Sequence, residues 1–171
     1  MAVELVSKHP PASRLAAAAR RLLDASTLCA IATLSPGARA YVNTAYFAWA
    51  PDFAVVWLSS PAARHSRNIR SNGSAAVAVF RSTQRWGGLD RGIQLFGPAR
   101  ELRGRAAREA ERLYGERFKV YGGDQTEYRF YRLRTRRMKL FDERVFGGAT
   151  FVSVAVASRG RLRWDRTERY V

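Results

Sequence analysis

Between Thr27 and Ser158 the sequence repeats one device: a short β-prone or apolar run, followed by a break built from glycine, proline, serine or asparagine. The runs read "TLCAIATL", "AYVNTAYFAW", "FAVVWLS", "AAVAVF", "GIQLFG", "YRFYRLR", "RMKLFDE" and "TFVSVAVAS". Each has strand length, and several alternate apolar with polar residues, as a half-buried strand does. Helical spacing is confined to a few places, so alternating βαβ units are excluded. The pattern predicts a mainly β domain of seven or eight strands with two or three peripheral helices, an antiparallel barrel or sandwich.

The helices have their own signals. Ser13 can cap a helix over about 13–24, with Leu15, Ala19, Leu22 and Leu23 on one face and Arg14, Arg20 and Arg21 elsewhere. Ser60-Pro61 reads as an N-cap with proline at the first helical position, and Asn72-Gly73 as the stop. A third helix is expected over 105–114, ended by Gly115. At 171 residues, with no linker or low-complexity stretch, the chain is expected to form one domain over 1–171.

No apolar stretch approaches the roughly 18 residues that a membrane helix needs. The start, "MAVELVSKHPPASRL", has no basic segment leading into an apolar run, so no secretory signal is expected. The single cysteine, Cys29, lies within a predicted strand, fits a reducing compartment and is expected in the core. These features point to a cytoplasmic protein with no membrane association.

The net charge of +16 draws polyanions, phosphorylated small molecules among them. Nearly all of the excess is arginine, spread from Arg14 to Arg169 rather than gathered on one helix. That spread, with no recognition helix or aromatic RNA platform, argues against nucleic acid. A polyanion- or nucleic-acid-binding protein without catalysis is nevertheless the alternative of a different class. It predicts binding that weakens steeply with salt.

Familiar catalytic devices are missing. His9 and His65 stand far apart, and no paired cysteines occur, so no metal site is expected. There is no Walker loop, Gly-x-Ser-x-Gly elbow or Gly-x-Gly-x-x-Gly, and no evident pair of catalytic carboxylates.

One segment is left to carry chemistry. "VWLSSPAARHSRNIRSNGSAAVAVF" places Arg64, His65, Arg67 and Arg70 on a short helix between two apolar strands. The first N–H groups of a helix attract anions, Ser59 and Ser60 add hydroxyls there, and a guanidinium can grip a phosphate bidentately. Elsewhere "YVNTAYF", "RSTQRWGG" and "GIQLFG" each set polar residues into apolar or turn surroundings. Asn43, Thr44, Gln84 and Gln94 are the kind of donors that orient a planar heterocycle in an apolar slot, and Trp86 is suited to cover it.

The order "LCAIATLSPGARAYVNTAYFAW", "FAVVWLSSPAARHSRNIRSNGSAAVAVF" and "GIQLFGPAREL" resembles the pyridoxamine 5'-phosphate oxidase-like FMN-binding split-barrel superfamily, over about residues 13 to 145. The resemblance implies a six-stranded antiparallel split β-barrel, a homodimer with FMN in a groove between subunits, and flavin-mediated hydride or electron transfer on a small molecule. It places the phosphate on Ser59, Arg64 and His65, with histidine where the family has lysine. It sets the ring beside Asn43, Thr44 and Ala45, near Gln94, under the loop of Gln84 and Trp86. It does not extend to pyridoxamine phosphate oxidase proper, which has lysine at the position of Phe47. The catalytic side chains stay unassigned, since the chemistry belongs to the flavin. Within the superfamily, a deazaflavin coenzyme is the alternative cofactor, and haem a third, with His65 or His9 as the available imidazole.

Overall fold

The computed structural model describes residues 2–7, 9–123 and 126–171. Its strands are β1 (Val3–Leu5), β2 (Leu28–Ser35), β3 (Arg39–Trp49), β4 (Val55–Ser59), β5 (Ser74–Phe80), β6 (Arg91–Glu101), β7 (Arg129–Leu133), β8 (Arg137–Asp142), β9 (Thr150–Val156) and β10 (Leu162–Tyr170). Its helices are α1 (Ala12–Asp24), α2 (Arg64–Ser71), α3 (Gly104–Arg117) and α4 (Glu143–Phe146). Every strand pairing is antiparallel.

Six strands close on themselves in the order β6-β5-β2-β3-β4-β7, with β7 returning to β6. The expected six-stranded antiparallel barrel is therefore present. β8, β9, β10 and β1 extend the sheet from the other side of β6. The first half of β6 pairs with β8 through Arg91 to Phe96, and its second half with β7 through Ala99 to Glu101. Gly97 marks the change of partner: a Cβ there would stand 2.0 Å from the Arg134 carbonyl oxygen, so only glycine lets the β7–β8 crossing come this close.

Alternation builds the core. Cys29, Ile31 and Thr33 of β2 point inward while Ala30, Ala32 and Leu34 point out, and Val77 and Val79 of β5 follow the same rule. α1 lays Leu15, Ala18, Ala19, Leu22 and Leu23 on this interior, each at most 3% exposed. Burying one such leucine is worth about 1.5–3 kcal/mol. A smaller cluster of Ala48, Val56, Leu102, Ala110, Tyr114 and Phe130 lies under α3.

Several expectations need correction. The described residues contain ten strands rather than seven or eight, because β1 and β10 carry almost no apolar pattern. Pro11 rather than Ser13 precedes α1, and Ser13 lies inside the helix. α3 runs through Gly115 to Arg117, whose guanidinium donates to the carbonyls of Leu23 and Ser26 at 3.1 and 2.8 Å. α2 starts at Arg64 rather than Pro61: the Ser60 side chain accepts from the Ala62 N–H, and Ala63 donates to the Ser60 carbonyl, which makes a turn before the helix. Among the described residues, no helix is long and apolar enough to cross a membrane.

Candidate functional site

β3 changes its strand neighbour along its length. Phe47, Ala48 and Trp49 pair with Trp57, Val56 and Val55 of β4. Upstream, from Tyr46 back to Arg39, β3 pairs with β2 alone. β4 meanwhile runs on to Ser59, held by β7 on its far side. The barrel wall is thus open between the first half of β3 and the end of β4, and α2 begins beside this opening, four residues past Ser60.

The basic residues of α2 divide by role. Arg67 donates to the Ala62 carbonyl, and Arg70 donates to the Pro61 carbonyl at 2.8 Å while meeting Glu101 at 3.4 Å. Both brace the entry to the helix. Asn68 ties α2 to β2 by donating to the hydroxyls of Thr33 and Ser35 at 3.0 and 3.1 Å. Arg64 is exposed, with its guanidinium 5.7 Å from the centre of the Tyr41 ring. It makes no hydrogen bond or ion pair among the described residues. It is the basic group of this helix that is free to meet an anion.

His65 is buried, its Nε2 2.7 Å from the Ser59 hydroxyl. Burial lowers its pKa from the ordinary 6.5, so the ring is neutral at pH 7. A histidine at the position where the family has lysine therefore brings no positive charge here. His65 and Ser59 form a neutral hydrogen-bonded pair, and the charge at the start of α2 is that of Arg64. Arg64 and His65 are also the first two residues of the helix, because it starts at Arg64 and not at Pro61.

Tyr41, Asn43 and Ala45 share the face of β3 that turns toward the interior, while Val42, Thr44 and Tyr46 face outward. The Asn43 amide donates to the Thr44 carbonyl, but its Oδ1 is buried with no partner. A buried acceptor without a donor costs about 1–3 kcal/mol until something fills it. Asn43, Ala45, Ser59, Arg64 and His65 therefore gather around one opening, with Thr44 on the outer side of the same strand. Tyr41, which sequence reading missed, joins them; the alternation of "YVNTAYF" already sets it on the face of Asn43.

Gln84, Trp86 and Gln94 lie elsewhere in the chain. The Gln84 amide is used locally, donating to the Arg81 carbonyl and accepting from the Arg91 N–H. Trp86 is wholly exposed. Both belong to the loop after Phe80, at the end of β5 opposite α2. Gln94 faces outward beside Ala78 and Lys139. Phe47 is fully buried under the Arg117 guanidinium, 4.5 Å from its ring centre, so no lysine-like function exists there. His9 lies against Trp164, with ring centres 4.8 Å apart and planes tilted by 31°, far along the chain from the opening.

The sequence matches the family model described as pyridoxamine 5'-phosphate oxidase over residues 15–142. The chain belongs to the pyridoxamine 5'-phosphate oxidase family. Solved structures of similar fold include a heme binding protein from Mycobacterium smegmatis, 19% identical, with 93% of this chain and 59% of that one covered and a TM-score of 0.67. The heme storage protein HutZ from Vibrio cholerae is 18% identical, with 68% and 87% covered and a TM-score of 0.58. A putative pyridoxamine 5'-phosphate oxidase from Listeria innocua is 12% identical, with 74% and 97% covered and a TM-score of 0.61. The chain spans less than two thirds of the Mycobacterium protein's length. Among curated proteins, no sequence matches this chain.

Proposed function

We propose that the opening between β3 and β4 holds FMN, and that the protein is a flavin-dependent oxidoreductase acting on a small molecule. The observation that carries this reading is Arg64: an unpaired guanidinium at the first turn of α2, beside the Ser59–His65 pair. Arg64 would grip the phosphate. With its proton on Nε2, His65 donates to the Ser59 oxygen and leaves the hydroxyl hydrogen for the same anion. The unpartnered Asn43 Oδ1 fits a ring system that brings an N–H donor, and Ala45 leaves room beside it. FMN would supply hydride or electron transfer; the chain's own residues anchor the phosphate and orient the ring.

The outer face of the sheet supports a homodimer with the site at the subunit interface. Leu28, Val42, Tyr46 and Phe80 are 44–61% exposed around a floor of Ala30, Ala32, Ala76 and Ala78. On this arrangement Gln84, Trp86 and Gln94 reach the cofactor only from the partner subunit.

The haem reading draws on the two haem-associated neighbours of similar fold. Against it, Nε2 of His65 is already bonded and the ring buried, and His9 lies against Trp164. A deazaflavin would use the same phosphate grip. The deciding experiment is the absorption spectrum of the purified protein, alone and titrated with FMN. Flavin bands that saturate at one FMN per chain support the proposal. A Soret band, or a colourless protein indifferent to FMN, overturns it in favour of haem or the deazaflavin respectively.

A further inference from the structure

A second polar cavity lies at the other end of β5 and β6, roughly 20 Å from the α2 end at the usual strand rise. It has a volume of about 350 Å³ and sits between the C-terminal end of α1 and the ends of β5, β6 and β8. Arg21, Arg81, Arg91, Arg144, Asp24 and Asp142 supply its charges. Four guanidinium groups thus meet two carboxylates, an excess of two positive charges, and Asp24 already accepts from the Trp49 indole at 2.9 Å.

Two of these groups each carry one buried atom without a partner. Arg91 and Asp142 oppose each other directly across β6 and β8. They share the inward face with Ile93, Leu95, Leu140 and Met138, all buried. Asp142 is only 3% exposed; its Oδ2 is 3.7 Å from Arg21, and its Oδ1 has no partner. Arg91 Nε is likewise buried without a partner. Cross-strand neighbours of opposite charge ordinarily pair. Here one acceptor and one donor stay unused, and both residues line the same cavity.

We propose that this cavity is a second ligand site, for a small oxyanion that carries its own hydrogen-bond donor. Arg91 binds the oxyanion, with the excess positive charge of the rim behind it, and Asp142 Oδ1 accepts the ligand's hydroxyl. A 2-hydroxycarboxylate has this chemistry, and so does hydrogen phosphate with its P–OH. Gln84, which joins the Arg81 carbonyl to the Arg91 N–H, fastens the loop of Trp86 to the rim.

The test is isothermal titration calorimetry of the full chain with matched probes. Glycolate is compared with acetate, which lacks the hydroxyl, and inorganic phosphate near neutral pH with sulfate, which lacks the proton. The phosphate pair is measured in Arg64→Ala, so that anion binding at α2 does not contribute. Glycolate and phosphate are expected to bind at least about tenfold more tightly than their partners. Asp142→Ala, which removes the acceptor, should erase the preference, and Arg91→Met should abolish binding of all four probes. Arg64→Ala should leave the glycolate affinity unchanged, which separates this site from the FMN reading. Equal affinity within each wild-type or Arg64→Ala pair, which needs no variant at Asp142, overturns the proposal; so does a preference that survives Asp142→Ala. Preference for glycolate without one for phosphate identifies the ligand as a hydroxycarboxylate, and the converse a phosphate.

Discussion

The two halves of β3 are one strand put to opposite uses. Its last three residues pair with β4, the Phe47 N–H also donates to the Thr27 carbonyl, and Phe47 and Ala48 are at most 1% exposed. Its earlier residues have β2 on one side and no strand on the other; Val42 and Tyr46 are more than half exposed, and Asn43 keeps a buried oxygen unmet. The difference is not in the propensity of β3 but in where β4 stops following it. Closure of the wall stabilises the barrel, and interruption of the same wall leaves backbone and side-chain groups of β3 without a strand partner.

The sharpest way to break this comparison is to damage each half and weigh the losses. Phe47→Ala should cost about 3–5 kcal/mol, read from urea denaturation, since it empties a closed core. Arg64→Ala should shift the urea midpoint by no more than about 0.5 kcal/mol. Its loss should appear in FMN binding, weakened ~10–150-fold in a fluorescence titration, as expected for a hydrogen bond to a charged group. A variant at Arg64 that unfolds the protein, or binds FMN as before, would erase the division of labour.

Asn43→Ala sharpens the point at smaller scale. It removes the unpartnered oxygen but also the amide's bond to the Thr44 carbonyl, so the two effects oppose and stability should change by less than about 1 kcal/mol, while the FMN affinity falls. The smallest effect is that of pH on His65. Burial places the folded-state pKa below 6.5, so the unfolded chain takes up the proton first. His65 should therefore weaken the fold as pH falls from about 6.5 toward the lower folded value, and contribute no change above it. The urea midpoint of His65→Gln between pH 7.5 and 5.5 should drop less than that of the native protein.

Much of the barrel could be read because each central strand carries its alternation within a few residues: "TLCAIATL" displays inward and outward faces without help. β10 could not be read, because Leu162 and Trp164 keep alternation only until the bulge between Trp164 and Arg166 shifts the register. Gly115 misled because a distant event, the return of Arg117 to the end of α1, outweighs the local cost of glycine in a helix. At the candidate site, residue types singled out the α2 segment but not the arrangement within it. Which arginine stays free depends on Glu101 and on the Pro61 carbonyl, and whether His65 is charged depends on its burial. Those are properties of the folded neighbourhood.

The sharing of β6 between two sheets has a consequence for how the molecule comes apart. The barrel and the β8-β9-β10-β1 extension are not modules joined by a linker; each uses β6 as an indispensable wall. Peeling away the extension leaves the first half of β6 as a bare edge, and opening the seam with β7 bares the second. Neither piece can loosen without undoing part of the other, so amide exchange of β5 and β9 should report one common opening event rather than two foldons.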